Sequence, residues 1–444
     1  MNTLRLITKT CSTAMCLLVS MNGFGADLLH VYKLAETNDQ EYMQALATHR
    51  VALESRPQAL SQLLPSINLS ADTIRNDQDI SAGGAAVGSS GEVNFNSRGY
   101  RLSITQPLFR RDRMIALDQA GSEIKQAEAV LIEAQQALII RIAQRYFDIL
   151  ANIDSLEFAQ AEVKSLSRQL EQANQRFEVG LSAITDVHEA QAGYDLAVAQ
   201  EIQALNAIDN AQEAMRELTG DYITEFNQLG DAMSLVSPEP QAIESWTQLS
   251  LDQNLGVLAS RHAAETARKE VKRQSAGHLP TLDLVAAETY DSSGGRFGST
   301  KLHATSIGLE LNIPIYSGGI VSSQTREAHE NYNIAMYSLE RARRSAQRST
   351  REAYLGVISG ISRVKALKQA VVSSETALEA TEAGFEVGTR TAVDVVASQR
   401  TTSEARRNYS QAKYDYLIDT LSLKQAAGTL STEDLELINA WLTN

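Results

Sequence analysis

Long stretches of this chain repeat an apolar residue at every seventh position, the pattern of helices that pack as coiled coils. In the first half the series runs from Leu117 to Phe177 with one four-residue step, and in the second half it runs from Val357 to Phe385. A helix over 110–178 would be about 100 Å long at ~1.5 Å per residue. Because that length exceeds the thickness of a bilayer, the pattern predicts helices that project into an aqueous space.

Shorter segments alternate apolar and polar residues, which is typical of strands with one buried face. The alternation is clear in 66–75 and 305–313, and it predicts one hairpin in each half, at about 64–109 and about 279–316. Between the paired strands lie segments rich in glycine and serine, which we predict to be turns or mobile tips: 81–99 and 292–299.

The predicted strands, of about ten residues, have the length that a tilted transmembrane strand needs. Pro107 and Pro314 are predicted to close the second strand of each hairpin. Four strands cannot close a barrel, since the smallest barrels that span a membrane have eight. Closure therefore takes more than one chain. Two copies would supply eight strands and three would supply twelve, and the strand count alone does not choose between them.

The chain also repeats itself at an offset of 208 residues. The segment 177–180 recurs at 385–388, and Tyr146 is matched by Tyr354. We therefore predict two copies of one structural unit, each opening with a helical segment at roughly 27–61 and 242–277. The predicted divisions are a signal peptide at 1–25, a first repeat at 26–225 with long helices over about 110–220, a linker at 226–241, a second repeat at 242–430 with long helices over about 317–428, and a terminal segment at 431–444.

The start of the chain predicts export. Arg5 and Lys9 precede an apolar stretch, and Gly23 and Gly25 offer the small residues of a signal-peptidase site. Both cysteines lie in this segment, so the mature chain can form neither a disulfide nor a thiolate metal site. The net charge of −14 disfavours nucleic acid as a partner. Past the signal no run of 18 apolar residues occurs, so a membrane span would have to be a barrel.

Catalytic motifs are weak throughout the sequence. The pair His188-Glu189 begins like a zinc-protease motif, but position 192 is alanine and the second histidine ligand is missing. The seven histidines show no paired metal spacing, and no glycine-rich segment continues into the Lys-Ser/Thr of a phosphate-binding loop. We expect no enzyme activity, no cofactor and no metal site.

Several segments resemble the outer membrane efflux protein (TolC) family. They are Arg176-Phe-Glu-Val-Gly-Leu181, Ala183-Ile-Thr-Asp-Val187, His278-Leu-Pro-Thr-Leu-Asp-Leu284, Ile313-Pro-Ile-Tyr-Ser-Gly-Gly319, Val387-Gly-Thr-Arg-Thr391 and Val393-Asp-Val395. The similarity extends from Ala26 to about Leu430. It implies a mainly α fold with a transmembrane β-barrel portion, in which a homotrimer forms a twelve-stranded barrel in the outer membrane, continuous with a long α-helical coiled-coil barrel in the periplasm.

The same resemblance implies a passive exit duct of a tripartite efflux pump, a type I protein secretion system, or both. The expected partners are a periplasmic adaptor protein, an inner-membrane transporter of the RND or ABC type, and the lipids of the outer membrane. Cargo stays open, because the transporter selects it. The resemblance also marks Gly180 with Leu181, and Gly388 with Thr389, as adaptor docking tips. Glycine at such positions would equally serve a tight helical turn.

Through the resemblance, Arg390 is expected to be the latch of a periplasmic gate, with Thr185 and Asp186 as its partners. Read from the residues alone, such a contact would be an ordinary surface ion pair. Phe385 stands where the family has a latch tyrosine, so a hydroxyl that could bond Asp186 is missing. Phe385 also falls on the heptad series, which favours a packing role.

Asp394 matches an aspartate that lines the family's pore constriction and is expected to bind cations there. A second pore aspartate of the family is replaced by Ala397, whereas the corresponding position of the first repeat carries Glu189. Glu189 is therefore a candidate for the missing charge.

Two other classes of protein share part of the pattern. A structural coiled-coil filament would explain the heptads and the duplication. It would explain neither the signal segment nor the two alternating hairpins. A general diffusion porin would place most of its chain in strands, whereas most of this chain is predicted to be helical.

Overall fold

The computed structural model describes residues 25–80, 91–230, 233–295 and 298–443. The predicted signal peptide lies outside these ranges except for Gly25, as does the tip of the first hairpin at 81–90. The described chain is mainly helical. Within these four ranges, no helix is both long enough and apolar enough to cross a membrane.

The helices form two similar series along the chain. They are α1 (Leu28–Asn38), α2 (Gln40–Leu53), α3 (Ser55–Ser61), α4 (Arg111–Glu178), α5 (Ile184–Thr219), α6 (Ile243–Gln253), α7 (Leu255–Ser275), α8 (Ile320–Glu386), α9 (Ala392–Ala427) and α10 (Thr432–Asn439). The longest are α4 with 68 residues and α8 with 67, and each is followed by a helix of 36 residues. Gly220 and Gly428 end α5 and α9 in the left-handed conformation that glycine adopts most easily.

The opening segments of the two repeats are helical, and capping residues divide them into shorter helices. Asp39 separates α1 from α2, and its carboxylate accepts a hydrogen bond of 2.6 Å from the Tyr42 amide. Asn254 separates α6 from α7 and accepts a bond of 3.1 Å from the Val257 amide. Such side chains satisfy the free amides of a helix start, which favours a new helix at these points over one continuous helix.

The strands are β1 (Ser66–Ile80), β2 (Gly91–Phe109), β3 (Gln228–Leu229), β4 (Thr281–Ser293), β5 (Thr300–Asn312) and β6 (Leu442–Thr443). Four of them form one antiparallel sheet in the order β1-β2-β4-β5. These four strands have 13 to 19 residues and so exceed the predicted ten.

The segment 91–99 was predicted as loop and is strand instead. It pairs in register with 72–80 of β1, so the hydrogen bonds of the sheet continue well past the apolar part of the hairpin. Pro107 does not end β2, which continues through a local irregularity to Phe109. The alternating pattern marks only the half-apolar part of a strand, whereas backbone pairing sets the length of the strand.

The two faces of the sheet differ in polarity. One carries the apolar series of the sequence, with Ile67 and Leu69 on β1 and Ile307, Leu309 and Leu311 on β5, all well exposed in the single chain. The other carries serine, threonine, asparagine and charged residues. At the end of the sheet nearest the helices, Arg110 donates to both carboxylate oxygens of Asp283, at 3.0 and 2.5 Å. This forked pair joins the two repeats where sheet and helices meet.

The main hydrophobic core surrounds the middle of the long helices. Tyr146 of α4 is fully buried there and donates to the carbonyls of Ala26 and Asn227, at 3.0 and 2.9 Å, and burial raises the pKa of its phenol. The matching Tyr354 of α8 donates to the carbonyl of Gln241. Strands β3 and β6 pair beside this core, and Ala26 bridges to Phe226. Described residues near the start of the chain, near its end and in the linker therefore pack around the helices at one level.

The distal half of α4 buries a different set of residues from the predicted series. Its buried positions are Ala159, Glu162, Leu166, Gln169 and Ala173, at alternating steps of three and four. The predicted heptad series lies beside these buried positions and is only half-buried, as at Leu156, Val163 and Leu170. Phe177, at the end of the series, is 42% exposed. The contact of distal α4 with its neighbours within the chain thus includes two alanines and three larger residues, and the predicted apolar series lies at its edge.

Candidate functional site at the helix turns

The turns that join α4 to α5 and α8 to α9 have the same construction. Gly180 and Gly388 have φ values of 73° and 80°, in the left-handed region that favours glycine. Their amides donate to the carbonyls of Phe177 and Phe385, at 2.9 and 3.1 Å. The residues predicted as tips are all exposed to solvent: Gly180, Leu181, Gly388 and Thr389.

The second turn holds Arg390 in a defined place. The amides of Thr389 and Arg390 both donate to the carbonyl of Gly384, at 2.8 and 3.2 Å. A Cβ on Gly384 would lie 2.7 Å from Cγ of Arg390, closer than real side chains approach. The side-chain stem of Arg390 therefore packs against α8 at Gly384, where the missing side chain leaves room for it. Sequence reasoning missed Gly384, although it precedes Phe385 by a single residue.

The structure brings three of the predicted latch residues to one cleft. Asp186 at the start of α5, Phe385 at the end of α8 and Arg390 border a cleft of about 180 Å³ between the two turns. Thr185 is exposed and is not part of its lining. Within the described chain, the Arg390 guanidinium makes no hydrogen bond to Thr185 or Asp186.

Arg176 joins the two turns by a contact that sequence reasoning missed. Its guanidinium carbon lies 4.9 Å from the ring centroid of Phe385, within the range of a cation–π interaction. Arg176 belongs to the last turn of α4 and Phe385 to the last turn of α8, so the contact spans 209 residues of sequence. The ring without a hydroxyl thus still has a polar partner from the other helical pair.

Asp394 has a structural role at the start of α9. Its Oδ2 accepts hydrogen bonds of 2.9 Å from both the amide and the hydroxyl of Thr391, and its own amide donates to that hydroxyl. This reciprocal arrangement is a capping box. The bonds from the Thr391 amide and hydroxyl, together with the charge of Arg390, lower the pKa of Asp394 below its usual range. The carboxylate is therefore held ionised and half-exposed.

Glu189 lies on the exposed surface of α5 and has neither a hydrogen bond nor an ion pair with another described residue.

A buried hydrogen bond connects the first helical pair to the start of α9. Gln169 of α4 donates to the carbonyl of Ala392 at 3.2 Å. In the part of the chain that the structure describes, no three His, Cys, Asp or Glu side chains gather as metal ligands would.

The profile of the outer membrane efflux protein family matches residues 31–221 and 246–429, which is most of the chain and covers both repeats. The chain belongs to the outer membrane efflux protein family. It is 38% identical over 425 residues to the outer membrane protein TolC of Vibrio cholerae, with 94% of each chain covered. It is 29% identical over 430 residues to the alkaline protease secretion protein AprF of Pseudomonas aeruginosa, covering 96% of this chain and 89% of that protein.

The fold is that of solved channels of this kind. The crystal structure of the Campylobacter jejuni CmeC outer membrane channel superposes with a TM-score of 0.78, at 17% identity, and covers 94% of this chain and 89% of that one. The family consists of channels rather than enzymes, and its members reside in the outer membrane. This chain is accordingly an outer-membrane transport protein.

Proposed function

We propose that this chain is one protomer of a trimeric exit duct, passive in itself, that serves tripartite efflux and type I protein secretion. The observation that carries the proposal is the open sheet. Its outer strands, β1 and β5, each have one unpaired edge in the described chain, and its apolar face is exposed. Lipid offers no partner to unpaired backbone groups, so such a sheet is stable in a membrane only when copies close it.

Three copies would give a twelve-stranded barrel in the outer membrane. Helices of 67 and 68 residues would then extend about 100 Å into the periplasm at ~1.5 Å per residue. The apolar series at the edge of α4, ending in Phe177, would pack between neighbouring protomers. That arrangement accounts for a heptad series that the single chain leaves half-buried.

We propose that both small molecules and proteins leave through this duct. The family is one of efflux proteins, and a relative of similar length is described as a protease secretion protein. A periplasmic adaptor would dock at the exposed tips Gly180, Leu181, Gly388 and Thr389, and an inner-membrane transporter of the RND or ABC type would choose the cargo.

The gate that we propose lies at the same tips. Arg390 is the latch, with Thr185 and Asp186 as acceptors and Phe385 as a packing member. Because Arg390 bonds neither acceptor within its own chain, the latch bond would join adjacent protomers. Asp394, with Glu189 as a possible contributor from α5, would form the cation site of the constriction.

Restored transport in a host that lacks its own exit duct tests the function. Expression of this chain there is expected to restore both antibiotic resistance and protease secretion, measured as inhibitory concentration and as secreted activity. Leu309→Arg is expected to abolish both, because an arginine on the lipid face near mid-membrane costs about 2–4 kcal/mol per subunit.

Ser306→Arg is the matched control, since it places the same charge on the polar face of the same strand. It should leave trimers intact on semi-native gels and transport close to wild type. Equal tolerance of arginine at 306 and 309 would contradict the assignment of the two faces.

Arg176→Gln is expected to loosen the closed gate slightly. A cation–π pair at an exposed site contributes about 0.5–1 kcal/mol, so the open fraction should rise about two- to fivefold in planar bilayers. Phe385→Leu, which keeps an apolar side chain but removes the ring, should have the same effect, and adding Arg176→Gln to it should change nothing further. Additive effects of the two changes would show that the residues do not act as a pair.

A further inference from the structure

A row of rings crosses the apolar face of the sheet towards the hairpin tips. Tyr100 pairs with Tyr290, and Tyr290 with His303, in register. The ring centroids are 5.5 Å apart in the first pair and 4.6 Å apart in the second. The row shares its face with Leu102 and Leu309, because an even number of residues separates them along each strand. Aromatic side chains flank the apolar band of membrane barrels at the water interface.

Cations occupy the next row out on the same face. Arg98 lies opposite Ser292, and Ser292 lies opposite Lys301. Adjacent strands lie about 4.8 Å apart, and β4 lies between Arg98 and Lys301, so the backbones at these two residues are about 10 Å apart. Both residues lie about 7 Å beyond the rings along the strands. Arg75 on β1 is one row farther out. All three side chains are exposed, and none is ion-paired to a carboxylate in the described ranges.

The opposite face carries charge of the other sign at this level. Asp72 and Asp291 flank Gly99 there. On the cationic face itself the nearest carboxylates are Glu288, on the apolar side of the rings, and Asp77, beyond Arg75 on the same strand. Farther towards the tip lie Asp79 and Glu92. The chain as a whole has a net charge of −14, whereas Arg98 and Lys301 form a positively charged patch next to the aromatic row.

We propose that Arg98 and Lys301, above the row Tyr100, Tyr290 and His303, bind the phosphate groups of the phosphorylated glycolipid of the outer leaflet, lipid A. The inference rests on the proposed function, because it requires this face to meet lipid. The planar guanidinium of Arg98 matches a phosphate with two donors, and Lys301 adds a point charge. The rings below offer a flat surface to the sugar and the first part of the acyl chains. Arg75, close to Asp77, contributes less.

Titration of detergent-solubilised trimers with diphosphoryl lipid A, read out by native mass spectrometry, tests the site. Wild type is expected to bind this lipid more tightly than phosphatidylethanolamine. Arg98→Gln and Lys301→Gln should each weaken binding about fivefold, and the double variant about 25-fold, since one cation near an anionic lipid surface contributes about 1 kcal/mol.

Arg101→Gln is the matched control, because it removes one positive charge from the same strand on the opposite face. An equal loss for Arg98→Gln and Arg101→Gln would overturn the site in favour of a general charge effect. Displacement of the lipid by equimolar inorganic phosphate, or equal binding of phosphatidylethanolamine, would also overturn it. Trimers that form but do not bind lipid A reject only this inference, whereas absence of trimers in the wild type rejects the proposed function.

Discussion

Arg390→Ser is expected to raise single-channel conductance in planar bilayers and to let large antibiotics enter cells that carry the variant. Arg390 can direct two donors onto Asp186 and the Thr185 hydroxyl of an adjacent protomer, a planar geometry that serine cannot copy. Hydrogen bonds to a charged group contribute about 1.5–3 kcal/mol, so their loss should increase the open fraction about tenfold to a hundredfold. Because residue 385 is phenylalanine, no tyrosine hydroxyl adds a second hydrogen bond to Asp186. We therefore expect a larger effect on the gate from Arg390→Ser than from Arg176→Gln.

Two further variants separate the latch from a general weakening of the turn. Arg390→Lys keeps the charge but not the fork, and it should give an intermediate conductance. Gly384→Ala keeps the arginine itself, but the added methyl group would collide with Cγ of Arg390 and displace its side chain. This variant should therefore also open the gate. The latch is falsified if Arg390→Ser leaves conductance and antibiotic entry at wild-type levels.

Asp394→Asn is expected to weaken block of the channel by trivalent cations about tenfold or more, when the cations are added from the periplasmic side. In a trimer Asp394 would occur three times around one axis, and like charges at one level attract a multivalent cation. Asparagine keeps an oxygen that can accept the bonds from Thr391, so the variant removes the charge while retaining the cap. Ala397→Asp, which adds a second ring of charge, should strengthen the block.

The pH dependence of this block follows from the pKa of Asp394. Because the Thr391 bonds and the charge of Arg390 lower that pKa, block should persist below the usual aspartate range and disappear as the pH falls through the lowered value. Repulsion between the three carboxylates of a trimer acts in the opposite direction. Thr391→Val removes the hydroxyl donor and should move the midpoint of block to higher pH. Block that survives Asp394→Asn but is lost in Glu189→Gln would place the cation site on α5 instead.

The sequence by itself determined the helical part of this protein and its duplication. Heptad spacing predicts where a helix runs, and glycine at 180 and 388 predicts where it must turn, because both signals are local properties of the chain. Alternation likewise located β1 and β5, and the hairpins predicted from it include β2 and β4. It did not determine their ends: 91–99 reads as a polar, glycine-containing loop, and it is strand because β1 supplies its hydrogen-bond partners.

Only the tertiary structure decided which side chains meet. The sequence predicted Arg390, Asp186 and Phe385 as members of one site through resemblance, and their roles stay predictions. That Arg176 covers the Phe385 ring, and that Tyr100, Tyr290 and His303 form one row, depends on contacts across 13 to 209 residues of chain. Periodicity and turn chemistry act over a few residues, whereas these contacts arise from the packing of two repeats whose local patterns are nearly the same. For Asp394 the resemblance predicted a charge in the pore, and the structure shows its carboxylate bonded to the N-cap residue Thr391 in the capping box of α9.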